Sequence, residues 1–356
     1  MKTLRNLALV LIILVVVSIT SLCIIYKVNI KAMDINDSTK IEVVIPSGTT
    51  TTKIGEILKE KELIRSSTFF NIYVKLFKVG NLKASTYQLS KNMDLKEIIE
   101  IIKKGNSYNP NQIQITFKEG INIREVATLI KNNTNNEYDD VIKLVNDEEY
   151  LKTIQEKYWF ITDDIANKEL YYSLEGYLFP DTYYFSSKDV SIEEIFEKML
   201  NKMEQELNEY KNDIETSKYS VHELLTLASI IEKEGKAKDF KEISAVFHNR
   251  LNRNMELGSC ATAYYGMGLD FNEIGIANSE MINNDNLYNT YKIQTLPIGP
   301  ISLPSKNAIE AALNPKEDSK CLYFLSDNEG VTYFFETYTE HQRKEQQLKK
   351  EGKWYR

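Results

Sequence analysis

The sequence predicts an α+β protein carried behind a single apolar helix, on three observations. Residues 6–26, NLALVLIILVVVSITSLCIIY, run without a charged side chain. Short β-branched segments such as IEVVI (41–45) are followed by longer ones whose apolar residues recur at helical spacing. Pro and Gly turns, such as PSG at 46–48, punctuate the two kinds of segment.

The apolar run comes first. Its 21 residues at about 1.5 Å each reach roughly 30 Å, the thickness of a hydrocarbon core. A cleaved signal peptide is the competing reading, but the run exceeds a usual signal core and no A-x-A site follows it. Bulky Leu22 ahead of Cys23 argues against lipoprotein processing. The expected organisation is a short cytoplasmic end at 1–5, a transmembrane helix at 6–26 and a linker at 27–40. Lys2 and Arg5 favour a cytoplasmic amino end, an asymmetry that Lys27 and Lys31 weaken.

After the linker, 41–64 reads as strand, Pro and Gly turn, and amphipathic helix. STFFNIYVKLF reads as a second helix, ASTYQLS as a strand, and MDLKEIIEIIKKG as a helix opened by Asp94 and closed by Gly105. IQITFKEGINIREVATLIKN (113–132) repeats strand, glycine turn and helix. These small units resemble LysM-type glycan-binding modules, which places a LysM-like subdomain at 41–132. A generic α+β spacer fits the same pattern. The polar stretch NNTNNEYDD (132–140) marks the boundary to a mixed α/β catalytic domain at 133–356.

Composition removes several function classes. The chain has 356 residues, 42% of them hydrophobic, enough for two modest cores. A formal net charge of −7 without a basic stripe gives no electrostatic footing for nucleic acid. The three histidines and three cysteines stand singly, with no metal-ligand spacing. No phosphate-cradling glycine loop occurs. Neither a metal nor a cofactor is therefore expected. The 22 tyrosines cluster in turn-rich segments such as YYSLEGYLFPDTYYF (171–185), where aromatic faces with polar tips suit sugar rings or, one by one, ordinary core packing.

The densest chemical signal is VHELLTLASIIEKEG (221–235), a helix apolar around most of its circumference and closed by Gly235. Glu232 and Glu234 fall at opposite edges of its apolar arc, about 160° apart. Glu234 stacks on Leu227, Ile230 and Ile231, and Glu232 on Leu225, Ala228 and Ser229. A carboxyl set against branched aliphatics is desolvated and its pKa rises, which suits a general acid. Glu234 fits that role better, but on spacing alone either glutamate could be a structural partner.

At these residues the chain resembles the membrane-anchored endolytic murein transglycosylases, also called lytic transglycosylase G or YceG-like. The ordered motifs are LEGYLFPDTY (174–183), LASIIEKEG (227–235), VFHNRL (246–251), YYGMG (264–268), YNTY (288–291), LPIGPISLPS (296–305), ALNP (312–315) and LYFLSD (322–327). The resemblance implies that Glu234, second in the E-x-E pair, is the catalytic acid. It also implies a bacterial single-pass cell-membrane protein with an extracytoplasmic catalytic domain. The substrate would be peptidoglycan, cut within nascent strands at the MurNAc–GlcNAc β-1,4 bond to leave 1,6-anhydroMurNAc ends. Penicillin-binding proteins and other cell-wall synthases are the partners it suggests. Glu232 and Glu175 are support candidates, Glu175 equally readable as a turn contact; Asp181 is another possible second carboxylate. Tyr177, Asn249, Arg250, Ser259, Thr262, Tyr288, Asn289, Thr290 and Tyr291 are the expected substrate-binding set, with a buried structural pair the other reading of Asn249 and Arg250. Where the family has L-Q-S-D-P-T, this chain has LGSCAT (257–262), so Cys260 and Ala261 replace an Asp-Pro pair. That departure keeps a non-catalytic peptidoglycan-binding scaffold open as an alternative. A hydrolytic muramidase is the other, and would need a second essential carboxylate.

Overall fold

The computed structural model describes residues 2–105, 109–269 and 279–354, with side chains from Ile12 onward. The chain forms two compact units, 1–110 and 111–356.

The first unit opens with α1 (Lys2–Ile30), whose Ile12–Ile30 stretch is long and apolar enough to cross a membrane. Then come β1 (Ile41–Ile45), α2 (Thr51–Glu60), α3 (Ser67–Leu76), β2 (Ser85–Leu89) and α4 (Leu95–Lys104). β1 and β2 pair antiparallel with Val43 opposite Tyr87. Their alternation sends Val43, Ile45, Tyr87 and Leu89 inward, where they meet Ile54 and Leu58 of α2, Phe70 and Val74 of α3, and Ile98 and Ile102 of α4. α4 starts and stops where its sequence says it should. Asp94 and Glu97 form a reciprocal capping box, and Gly105 closes the helix at φ 76°.

The second strand–turn–helix pattern, read from sequence as part of the same subdomain as the first, belongs to the second unit. β3 (Ile113–Thr116) pairs antiparallel with β4 (Thr182–Phe185), and α5 (Ile123–Asn133) buries Ile123, Val126, Ala127 and Ile130 in that unit's core. The pairing strand lies some seventy residues downstream, and long-range pairing of this kind leaves no local mark. α6 (Tyr138–Leu144) and α7 (Glu148–Lys157) follow α5; α8 (Ile192–Asn208) and α9 (Lys211–Thr216) follow β4.

α10 (Val221–Glu234) is the centre of this unit, packed against α11 (Phe240–Leu251), α12 (Cys260–Gly266) and α14 (Lys306–Leu313). α13 (Ser279–Asn283) precedes the irregular segment 284–305. Every residue from Val221 to Ile231 is buried except Glu223, so even the polar strip of the helical wheel points inward. It is satisfied there. Thr226 donates to the His222 carbonyl (2.7 Å), Ser229 donates to the Thr226 carbonyl (2.7 Å), and Ser229 Oγ accepts from Ile301 N–H (3.0 Å). These bonds lay the segment 296–305 along the helix. β5 (Tyr323–Ser326) and β6 (Thr332–Phe335) form a hairpin on which α15 (Tyr338–Glu351) packs.

Gly176 shows how tightly the turn beside this core is specified. Its φ is +79°, and a Cβ there would run into the Pro300 ring. Gly176→Ala is therefore expected to lower stability by about 1–3 kcal/mol, measured as a fall in the thermal unfolding midpoint of the full-length protein.

Candidate active site

α10 ends at the wall of a cleft of about 1010 Å³ within the second unit. Its walls come from Glu234 at the end of α10, Arg250 of α11, the loop 254–260, Tyr291, the β5 strand, and Tyr338, His341 and Trp354 from α15 and the chain beyond it. Both candidate glutamates are pushed above the ordinary carboxylate range, chiefly by burial. Electrostatics alone does not choose between them. Position does.

Glu232 faces away from the cleft lining. Its Oε2 accepts from the backbone N–H (3.0 Å) and the hydroxyl of Ser305, and Ser305 is the N-cap of α14. The carboxylate thus strengthens a helix start. Glu234 lines the cleft, where the Ser259 hydroxyl donates to its Oε1. Burial raises the Glu234 carboxyl; the Ser259 hydrogen bond and the Arg250 charge hold the rise in check.

Ser259 is itself fixed from behind. Thr290 Oγ1 accepts from Ser259 N–H (2.9 Å) and contacts Thr262 Oγ1 (2.8 Å), while Thr262 donates to the Ser259 carbonyl (2.8 Å). All three residues are buried. Thr262 and Thr290, expected on the substrate, therefore support the serine that bonds to Glu234. Arg250 gives Nε to the Leu322 carbonyl (2.6 Å) and Nη1 to those of Leu257 (2.7 Å) and Glu256 (3.3 Å). Its guanidinium lies 5.2 Å from the Tyr323 ring centre. Nη2 makes none of these bonds. Tyr291 closes the wall beside Cys260, Sγ to Oη 3.1 Å; burial pushes both groups up.

Other expected ligands are structural in their placement. Tyr177 is fully buried, with its hydroxyl on His222 Nδ1 (2.9 Å). Asn249 holds the approach to β5 by donating to the carbonyls of Ser319 (2.8 Å) and Cys321 (3.1 Å). Asn289, buried, binds the carbonyls of Met281, Ile282 and Asn284. Tyr288 packs among Tyr171 and Tyr265 at ring separations of 5.0 and 4.8 Å.

Glu175 is buried off the cleft lining. Its Oε2 accepts from Ile123 N–H at the start of α5 (3.1 Å) and from the Tyr265 hydroxyl (3.0 Å), and Oε1 has no hydrogen-bond partner among the described residues. Burial pushes its pKa up to about 8 against those two bonds. Asp181 sits at the β3–β4 pair, where its carbonyl accepts from Phe117 N–H (3.0 Å).

The cleft also contains residues that sequence reasoning did not single out. Glu256 stands exposed on the rim, the other carboxylate of the lining. Tyr323, Tyr338, His341 and Trp354 form an aromatic wall, with Tyr338 and His341 stacked at 5.9 Å and 15°. Trp354 reaches it because the chain after α15 is stapled to the hairpin turn, Asn328 N–H donating to the Lys353 carbonyl (2.9 Å). The LYFLSD segment flagged part of this wall; nothing local marks Trp354. No group of His, Cys, Asp and Glu among the described residues could hold a metal.

A carboxyl biased toward its protonated form, open to a cleft and fixed by a serine, can donate a proton to a bound oxygen and then take one back. Ser259→Ala removes a bond that lowers the Glu234 pKa. The Glu234 carboxyl is therefore expected to titrate at higher pH in that variant, read from carbon-13 shifts of labelled glutamate. Glu175 gives a stability prediction. Its folded pKa, about 8, lies above the unfolded value near 4.5, so its contribution is complete below about pH 4.5 and is lost as pH rises through about 8. Glu175→Gln should flatten the decline in unfolding midpoint across that window and be no less stable than the parent at pH 8.

The YceG-like family matches residues 43–347 of this chain. The endolytic murein transglycosylase of Bacillus subtilis strain 168 is 34% identical over 319 residues, covering 89% of this chain and 87% of its own. That of Streptococcus pneumoniae serotype 2 is 32% identical over 325 residues, 87% of this chain; the match spans 59% of the longer pneumococcal protein. A crystal structure of a YceG-like protein from Listeria monocytogenes superposes with a TM-score of 0.61 at 35% identity, covering 86% of this chain and 99% of that one.

Proposed function

Because the chain belongs to the YceG-like family, we propose that it is an endolytic peptidoglycan lytic transglycosylase in which Glu234 serves as acid and then base. One observation carries the assignment of the residue: Glu234 lines the cleft while Glu232 is spent on the N-cap of α14. In the reaction, protonated Glu234 gives its proton to the oxygen linking MurNAc C1 to the next GlcNAc, and the C1–O bond breaks. The MurNAc C6 hydroxyl then bonds to C1, its proton passing to the Glu234 carboxylate. The ring closes as a 1,6-anhydro end, the acid is restored, and no water is consumed.

Burial biases the Glu234 carboxyl toward the protonated form that a general acid needs. Ser259, donating to Oε1, helps hold the carboxyl in one orientation. Arg250 places a cation within electrostatic reach of the carboxylate left after the first step and presents Nη2 for polar groups of the strand. The aromatic wall offers faces for sugar C–H surfaces. A second reading, a hydrolytic muramidase, draws on one specific feature, the rim carboxylate Glu256.

The apolar α1 serves as an uncleaved single-pass anchor, Lys2 and Arg5 on the cytoplasmic side and the chain beyond the span outside the bacterial cell membrane. The β1-α2-α3-β2 order of the first unit resembles a LysM module. Anchoring confines the enzyme to glycan made at the membrane surface, where cutting limits strand growth beside the synthases.

The test is mass spectrometry of muropeptides released from un-crosslinked glycan strands by the full-length protein in detergent. Anhydro-ended products should fall by about 10²–10⁴-fold in Glu234→Gln, yet persist in Glu256→Gln and in Glu232→Gln, the last with a lowered unfolding midpoint. Reducing ends lost in Glu256→Gln would favour the muramidase. An active-site-intact protein that releases nothing would favour a scaffold.

A further inference from the structure

The first unit presents a surface that its own core does not use. α3 is apolar around more than half of its circumference. Phe70 and Val74 face the core, whereas Phe69, Ile72, Tyr73, Leu76 and Phe77, spaced three and four residues apart, form a second stripe beside them. Ile72, Leu76 and Phe77 are 57%, 71% and 52% exposed. A cluster of large exposed apolar side chains on one helix marks a surface with a partner.

The stripe is continuous with the apolar helix. Tyr26 of α1 lies 6.2 Å from the Phe69 ring and 6.5 Å from that of Tyr73, and Tyr73 lies 4.5 Å from Phe77. Arg65, just ahead of α3, donates to the carbonyls of Lys31 and Ala32, fixing the start of α3 to the chain leaving α1. Tyr26 ends the uncharged run 6–26, the depth at which an aromatic ring sits at the border between acyl chains and headgroups. Whatever packs on Tyr26 shares that depth. Lys27 and Lys31 beyond it, Lys75 on α3 and Lys78 just after it are all exposed and supply cations at the level of lipid phosphates.

We propose that α3 lies in the headgroup layer of the membrane that α1 crosses, with Ile72, Leu76 and Phe77 in the upper acyl region. The first unit is then held against the lipid surface at two places, the span and an interfacial helix. This rests on the reading of α1 as an uncleaved span. A sugar-binding face fits less well, because Ile72 and Leu76 carry no polar atom for a hydroxyl.

The experiment uses the full-length protein in nanodiscs containing phosphatidylglycerol, carrying Leu76→Trp or Phe77→Trp, with the unsubstituted chain subtracted to remove Trp159 and Trp354. Tyr184→Trp, at an exposed position of β4, is the control. The added emission at 76 or 77 should be blue-shifted, quenched by lipids brominated high on the acyl chain and protected from iodide, while that at 184 remains open to iodide. If 76 and 77 are iodide-accessible and unquenched in protein that resists carbonate extraction, the proposal is overturned while the anchor stands. Protection conferred by added glycan strands instead of lipid would overturn it in favour of a sugar-facing helix. If carbonate releases the protein or the leader is cleaved, the anchor reading fails and the proposal with it.

Discussion

The proposed chemistry depends on one carboxylate carried by the last residue of a helix that is buried on nearly all sides. Because α10 cannot rotate or shift without breaking the bonds that Ser229 makes to Ile301 and Ser302 or the packing of Leu224 to Ile231, Glu234 is delivered to a fixed point at the cleft wall. The same burial that fixes it withdraws solvation and biases it toward the protonated form. Position and pKa thus have a single cause, the embedding of α10.

Several polar residues of the sequence motifs become intelligible as supports for that arrangement. Glu232 starts α14, the helix packed most closely on α10; Thr262 and Thr290 seat Ser259; Asn249 and Arg250 pin the approach to β5, which forms the opposite wall. Each of these supports bonds to a segment far from its own in sequence. Glu175 behaves differently. One of its oxygens is unpartnered among the described residues, which is consistent with a carboxyl that stays neutral and gives its environment a pH-dependent stability.

Local patterns were legible in the sequence. The apolar run, the caps of α4, the extent of α10 and the 160° separation of Glu232 and Glu234 all follow from periodicity and capping, and the desolvation argument already preferred Glu234. What was not legible depends on long-range pairing. The strand at 113–116 joins β4 instead of the first unit, so a repeated local pattern suggested one subdomain where the compact units divide at 110. Tyr177 and Asn289 carry residue types suited to a saccharide site but are enclosed by the core, where only tertiary packing decides their role. Trp354 entered the cleft through a staple to the β5–β6 turn that no local spacing reveals.

The central claim is that the scissile oxygen is protonated by Glu234. The most direct measurement is a crystal structure of Glu234→Gln bound to an uncut glycan strand. The account predicts the MurNAc–GlcNAc linking oxygen within hydrogen-bond distance of the side chain at 234, with the MurNAc C6 hydroxyl poised near C1 on the same side of the cleft. A strand whose linking oxygen instead approaches Glu256, or one that bypasses position 234 altogether, would contradict it.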